Sequence, residues 1–117
     1  MTSQTRTVTI IEEQEYLAQI RDLFIRRKCT KDHLSAQDRN LIQGWFRAGI
    51  SFEAIKAAIF LGCCRKYRSW LENPNRSRIN SLGYFAPLLK EVGEGYKSGY
   101  YRLYLESKIS EFEEDVE

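Results

Sequence analysis

A glycine and a serine two residues apart, Gly49 and Ser51, separate two stretches of helical apolar spacing, and this corner constrains the fold more than any other feature. Leu41, Ile42, Trp45 and Phe46 recur at steps of three and four before it. Phe52, Ile55, Ile59 and Cys63 do so after it, with Ala54, Ala57 and Ala58 as small fillers. Such spacing puts each set on one face of an α-helix. Gly49 suits the left-handed residue that closes a helix, and Ser51 suits the N-cap of the next, with Glu53 in its first turn. A corner this short predicts two helices packed as neighbours. Ser35 opens the first of them, and Asp38 stands where a capping box places its acid. Gly44, inside that helix, costs about 1 kcal/mol against Ala; a close helix crossing or plain tolerance would account for it.

The flanks read as further helices. Tyr16, Leu17, Ile20, Leu23 and Phe24 share a face of a helix that begins at Ile10 or Ile11 and fades near Lys28. Residues 1–9 are polar and predicted to fray as a flexible N-terminus. The helix after the corner is predicted to end between Gly62 and Trp70, followed by a loop that Asn73, Pro74, Asn75 and Ser77 mark. Ile79, Leu82, Phe85, Leu89 and Val92 resume the helical spacing. Pro87 either kinks that segment or opens a second helix after a short turn over 79–85. A last helix is predicted from Tyr96 or Ser98 to Phe112, with Tyr101, Leu105, Ile109 and Phe112 inward. The expected fold is therefore all-α: a single small domain of about five helices, spanning 10–112, around the central hairpin of residues 35–63. An acidic tail, 113–117, follows.

Composition narrows the class. A chain of 117 residues with 43% hydrophobic and 13% aromatic residues is globular, not disordered, and fits one domain. No apolar run reaches the roughly 20 residues of a membrane span, and the N-terminus lacks the apolar core of a signal peptide. Three cysteines, two of them adjacent, make no disulfide framework, so a reducing cytoplasm is the expected setting. The net charge of +2 hides an asymmetry, because residues 1–104 carry seventeen bases and ten acids. A basic body with an acidic end is compatible with nucleic acid as a partner, and equally with an ordinary solvated surface.

The segment 65–78 concentrates the bases: Arg65, Lys66, Arg68, Arg76 and Arg78 against Glu72 alone. These side chains suit phosphates. Tyr67, Trp70 and Tyr84 lie among them and suit stacking on unpaired bases, although Tyr67 and Trp70 also read as the inward edge of a helix. A second group, Tyr96, Tyr100, Tyr101 and Tyr104, surrounds the start of the last helix. Four tyrosines in nine residues point in most directions, so one or two are predicted to be exposed for a partner. Cys63 and Cys64 precede Arg65 and Lys66, whose charge would lower a thiol pKa. Cys29 and His33 have a helical spacing, but without a Cys-x-x-Cys knuckle the set does not read as a zinc site, and no metal or cofactor is expected. One histidine, no nucleophile motif and no phosphate loop argue against an enzyme.

The central stretch resembles the C-terminal domain of the DnaD-like family of bacterial and phage replication proteins. The matching residues are Leu34, Ser35, Trp45, Gly49, Ile50, Ser51, Glu53, Ile55, Ala58 and Ile59. Tyr84, Leu88 and Val92 take the places of the family's last motif, where Ile and Trp stand for the latter two. The resemblance covers roughly residues 16–92. It implies a DNA-associated helical protein of replication or of a mobile element or phage, working beside a replication or recombination protein. The family's N-terminal winged-helix domain has no room in residues 1–15, so a stand-alone version is implied. The functional expectation is a non-enzymatic protein that binds single- or double-stranded DNA with little sequence preference. The alternative is a subunit of a larger assembly that docks through exposed tyrosines and its acidic end.

Overall fold

The computed structural model describes the backbone of residues 2–73 and 75–115 and the side chains from residue 11 onward, so Pro74 and the last two residues of the acidic tail lie outside the described residues. Five α-helices follow one another: α1 (Thr2–Ile25), α2 (Ala36–Arg47), α3 (Phe52–Glu72), α4 (Ala86–Val92) and α5 (Gly99–Asp115). Short 3-10 turns occupy Leu82–Phe85 and Gly95–Lys97. The fold is all-α, and the described residues contain no strand beyond one isolated bridge between Thr30 and Ile79.

Local chemistry sets the boundaries. The Ser35 hydroxyl accepts from the Asp38 N–H at 3.1 Å, and the Asp38 carboxylate accepts from the Ser35 N–H at 3.0 Å. That reciprocal pair satisfies two of the donors a helix start leaves open. Gly49 ends the corner at φ +76, in the left-handed region, and Ser51 caps α3 through the Ala54 N–H at 3.2 Å. The Tyr16 hydroxyl donates to the Ile50 carbonyl at 2.8 Å, so α1 is bonded to the corner itself. Where α1 ends, the buried Thr30 hydroxyl lies within donating reach of the Phe24 and Arg27 carbonyls, the former of which also accepts from the Arg27 N–H at 3.2 Å.

Three expectations change, and one open alternative is resolved. First, α1 begins at Thr2, not at Ile10. Second, α3 runs on to Glu72, because Ile59, Cys63, Tyr67 and Trp70 continue its buried face through the basic stretch. Third, α2 and α3 do not pack along each other. The corner is an open bend: α1 lies against both helices, and α3 is the centre, flanked by α1, α4 and α5. Fourth, of the two readings of Pro87, the second is observed. Pro87 sits in the first turn of α4, after the separate 82–85 turn, where its missing N–H costs nothing.

The core follows from this arrangement. Ile20 and Phe24 of α1, Ile55, Ile59 and Cys63 of α3, Leu82 and Phe85 of the turn, and Ile109 of α5 are buried together. The close helix approach is at Gly62. A Cβ added there would lie 2.6 Å from the Phe85 ring. Gly44 is instead exposed, and an added Cβ would meet nothing within 4 Å. Gly44→Ala is therefore expected to raise stability by about 1 kcal/mol, or roughly 4 °C in Tm, in a thermal melt.

Candidate nucleic-acid interface

The bridge that joins Thr30 to Ile79 builds the site. The Ile79 N–H donates to the Cys29 carbonyl at 2.7 Å, and the Lys31 N–H donates to the Ile79 carbonyl at 3.1 Å. This pairing brings the end of α1 beside the loop that leaves α3. Between them opens a cleft of about 480 Å³ lined by Arg27, Lys28, Asp32, Trp70, Arg76 and Arg78, with Ile25 and Thr30. The loop is fixed from the α3 side as well. The Trp70 indole N–H donates to the Ser77 carbonyl at 3.0 Å, Lys66 reaches the Ser77 hydroxyl at 3.0 Å, and the Asn73 side chain accepts from the Asn75 N–H at 3.1 Å.

The bases around the cleft are not equivalent. Arg27 is largely buried, pairs with Glu113 at 3.3 Å and lies over the Phe60 ring. Lys28 donates its ammonium to the Glu113 carbonyl. Arg76 takes a left-handed backbone at φ +44, and its guanidinium sits 5.9 Å above the Trp70 ring. Arg76 and Arg78 are exposed, and among the described residues no carboxylate lies within ion-pair distance of either. Among the described residues Asp32 is the one acid that lines the cleft. Hydrogen bonding from His33, with Arg78 contributing at longer range, holds its carboxyl below the usual range, so it stays anionic and draws on part of the positive field.

The basic segment of the sequence is thus divided by helical geometry. Arg65 and Arg68 lie one turn apart on α3 and face α5, not the cleft. They line a second groove of about 200 Å³ with Cys64, Tyr104, Lys108 and Phe112, and Arg65 is committed to Glu91 of α4. Tyr84 is exposed, packed edge-on to Phe85, and does not line the cleft. The aromatics need correction as stacking platforms. Trp70 is only 7% exposed, with Tyr67 edge-on and Arg76 above it. Tyr67 is wholly buried: its hydroxyl donates to Glu113 at 2.6 Å and accepts from the Lys28 N–H at 2.9 Å. Neither ring can receive a base without dismantling this packing.

Among the tyrosines that follow, Tyr96 and Tyr101 are half-buried, whereas Tyr100 and Tyr104 are exposed. The thiols do not behave as their basic neighbours implied. Burial pushes Cys64 up to about 11 and Cys63 well above its ordinary value. Among the described residues no group of three His, Cys, Asp or Glu side chains is placed to hold a metal ion, and no helix is long and apolar enough to cross a membrane. Arg27 and Lys28 are the cleft residues that sequence reasoning missed. Nothing local in the sequence places them beside residues 76–78. No family model matches the chain, and no curated protein or solved structure shows significant similarity to it.

Proposed function

We propose that the chain is a non-enzymatic DNA-associated protein that holds phosphates in the cleft between the end of α1 and the 73–81 loop. The observation that carries the reading is the pair Arg76 and Arg78, exposed at the mouth of that cleft without a carboxylate partner among the described residues. Guanidinium groups so placed match phosphate oxygens bidentately. The resemblance of residues 34–59 to the DnaD-like domain supports the same reading and points to replication or a mobile element as the setting. With Trp70 and Tyr67 packed away, binding rests on the backbone of the nucleic acid, with little base readout.

Fluorescence anisotropy of the full chain against single- and double-stranded oligomers across a salt series tests this. Affinity is expected to fall steeply with salt, and Arg76→Ala/Arg78→Ala should lower the slope by about two. Arg65→Ala/Arg68→Ala should leave the slope near its original value. No binding at about 50 mM salt, or a slope that Arg76→Ala/Arg78→Ala does not change, overturns the proposal.

A further inference from the structure

The outward face of α5 carries a patch that the cleft does not use. Tyr100 is 84% exposed, Leu103 67% and Tyr104 49%, and they fall on adjacent positions of the helix surface at steps of three and four. Together they leave a contiguous, largely apolar surface in water, of the kind that is often functional on a small protein. Charge is distributed around this patch in a particular order. Lys97 lies seven residues before Tyr104 and Glu111 seven residues after it. Both are about two-thirds exposed and held by neighbours in their own chain, Lys97 by Glu94 and the Tyr96 ring and Glu111 by Lys108.

We infer that this face pairs with the same face of a second copy of the chain, the two α5 helices running antiparallel and crossing at Tyr104. In that register the N-terminal end of each α5 lies beside the C-terminal part of the other, so Glu111 of each copy comes towards Lys97 in the turn that precedes the other's helix. Lys108 of each copy, which lies 5.9 Å from the Tyr104 ring within its own chain, comes over Tyr100 of the other, a cation–π pairing. Tyrosines and leucines then form the dry centre, and two symmetric ion pairs form the rim. Antiparallel helices also align their dipoles favourably. A parallel arrangement would set Glu111 against Glu111 and Lys97 against Lys97, and the sequence order selects against it. The patch belongs to a different surface from the phosphate cleft, so the pairing stands whether or not the chain binds DNA.

Sedimentation equilibrium on the full chain, from about 5 µM to about 500 µM at low salt, reads the pairing directly. The mass is expected to climb from 13.8 kDa towards twice that value. Tyr100→Ala/Tyr104→Ala should stay monomeric with an unchanged helical circular-dichroism spectrum, since both rings are exposed. Lys97→Glu and Glu111→Lys should each weaken the pairing about fivefold, and the two together should restore it. A mass of one chain across the range overturns the inference and leaves the face to a different protein. So does a dimer that survives Tyr100→Ala/Tyr104→Ala, or a double charge reversal that recovers nothing.

Discussion

Asp38→Ala is expected to cost about 3–5 kcal/mol of unfolding free energy, the range for removing one partner of a buried ion pair. The carboxylate is almost wholly buried and serves three partners. It accepts from the Ser35 N–H that starts α2, from the Leu82 N–H at 3.0 Å, forty-four residues away, and from the Lys31 ammonium at 2.7 Å. Its loss would strand two backbone donors and a half-buried ammonium at once. Asp38→Asn should cost less but still destabilise, because its single amide oxygen can keep Ser35 and Lys31, which share Oδ2, only by turning the N–H₂ against the Leu82 N–H as donor against donor. Urea denaturation measures both. A cost below about 1 kcal/mol for Asp38→Ala would mean that the network contributes no more than an isolated cap.

The same carboxyl predicts an acid transition. Burial pushes its pKa up, but Lys31 and the N–H groups of Ser35 and Leu82 outweigh burial and hold it at about 2, below the ordinary 3.8. A carboxyl depressed in the folded state binds its proton more readily when unfolded, so its contribution is complete above pH 3.8 and is lost as the pH falls from there towards 2. That contribution is about 2 kcal/mol, and Asp38→Ala should show a correspondingly flatter stability profile over that window.

Asp38 also marks the boundary of what the sequence discloses. Its place in a capping box is legible, since Ser35 and Asp38 are three residues apart and the rule is local. Its bond to Leu82 is not, because nothing in either segment reports the other. The same division runs through the candidate site. Basic residues between 65 and 78 are visible as composition. Their separation into two surfaces depends on α3 continuing to Glu72, which sends Arg65 and Arg68 towards α5 while Trp70 turns inward. A run of charged and aromatic residues after Gly62 looks like the end of a helix only if the buried period through Tyr67 and Trp70 is discounted. Arg27 and Lys28 reach the cleft through the Thr30–Ile79 bridge, a two-residue pairing too short to leave an alternating pattern. Helix faces, caps and the Gly49 corner were readable because each rests on contacts within a few residues. The open angle between α2 and α3 was not, because α1 and the 82–85 turn decide it from a distance.

The second large effect concerns Phe85, which is fully buried and edge-on to Phe24 at 6.1 Å. Phe85→Ala should cost about 3–5 kcal/mol, as a large cavity in a core that cannot close over it. Gly62→Ala should cost about 1–3 kcal/mol for the opposite reason. The added methyl would overlap the Phe85 ring at 2.6 Å and press on Leu88 at 2.9 Å. The two changes act on one contact, so they cannot be additive. Without the ring, the methyl added at position 62 enters space the ring vacated, and the end of the Leu88 side chain, the remaining close contact, can turn into the same space. The double variant should therefore be no less stable than Phe85→Ala alone, leaving a coupling of at least about 1 kcal/mol in the cycle. Strict additivity would place the cost of Gly62→Ala elsewhere than α3 against the 82–85 turn, and would remove the reason for a glycine in the middle of the central helix.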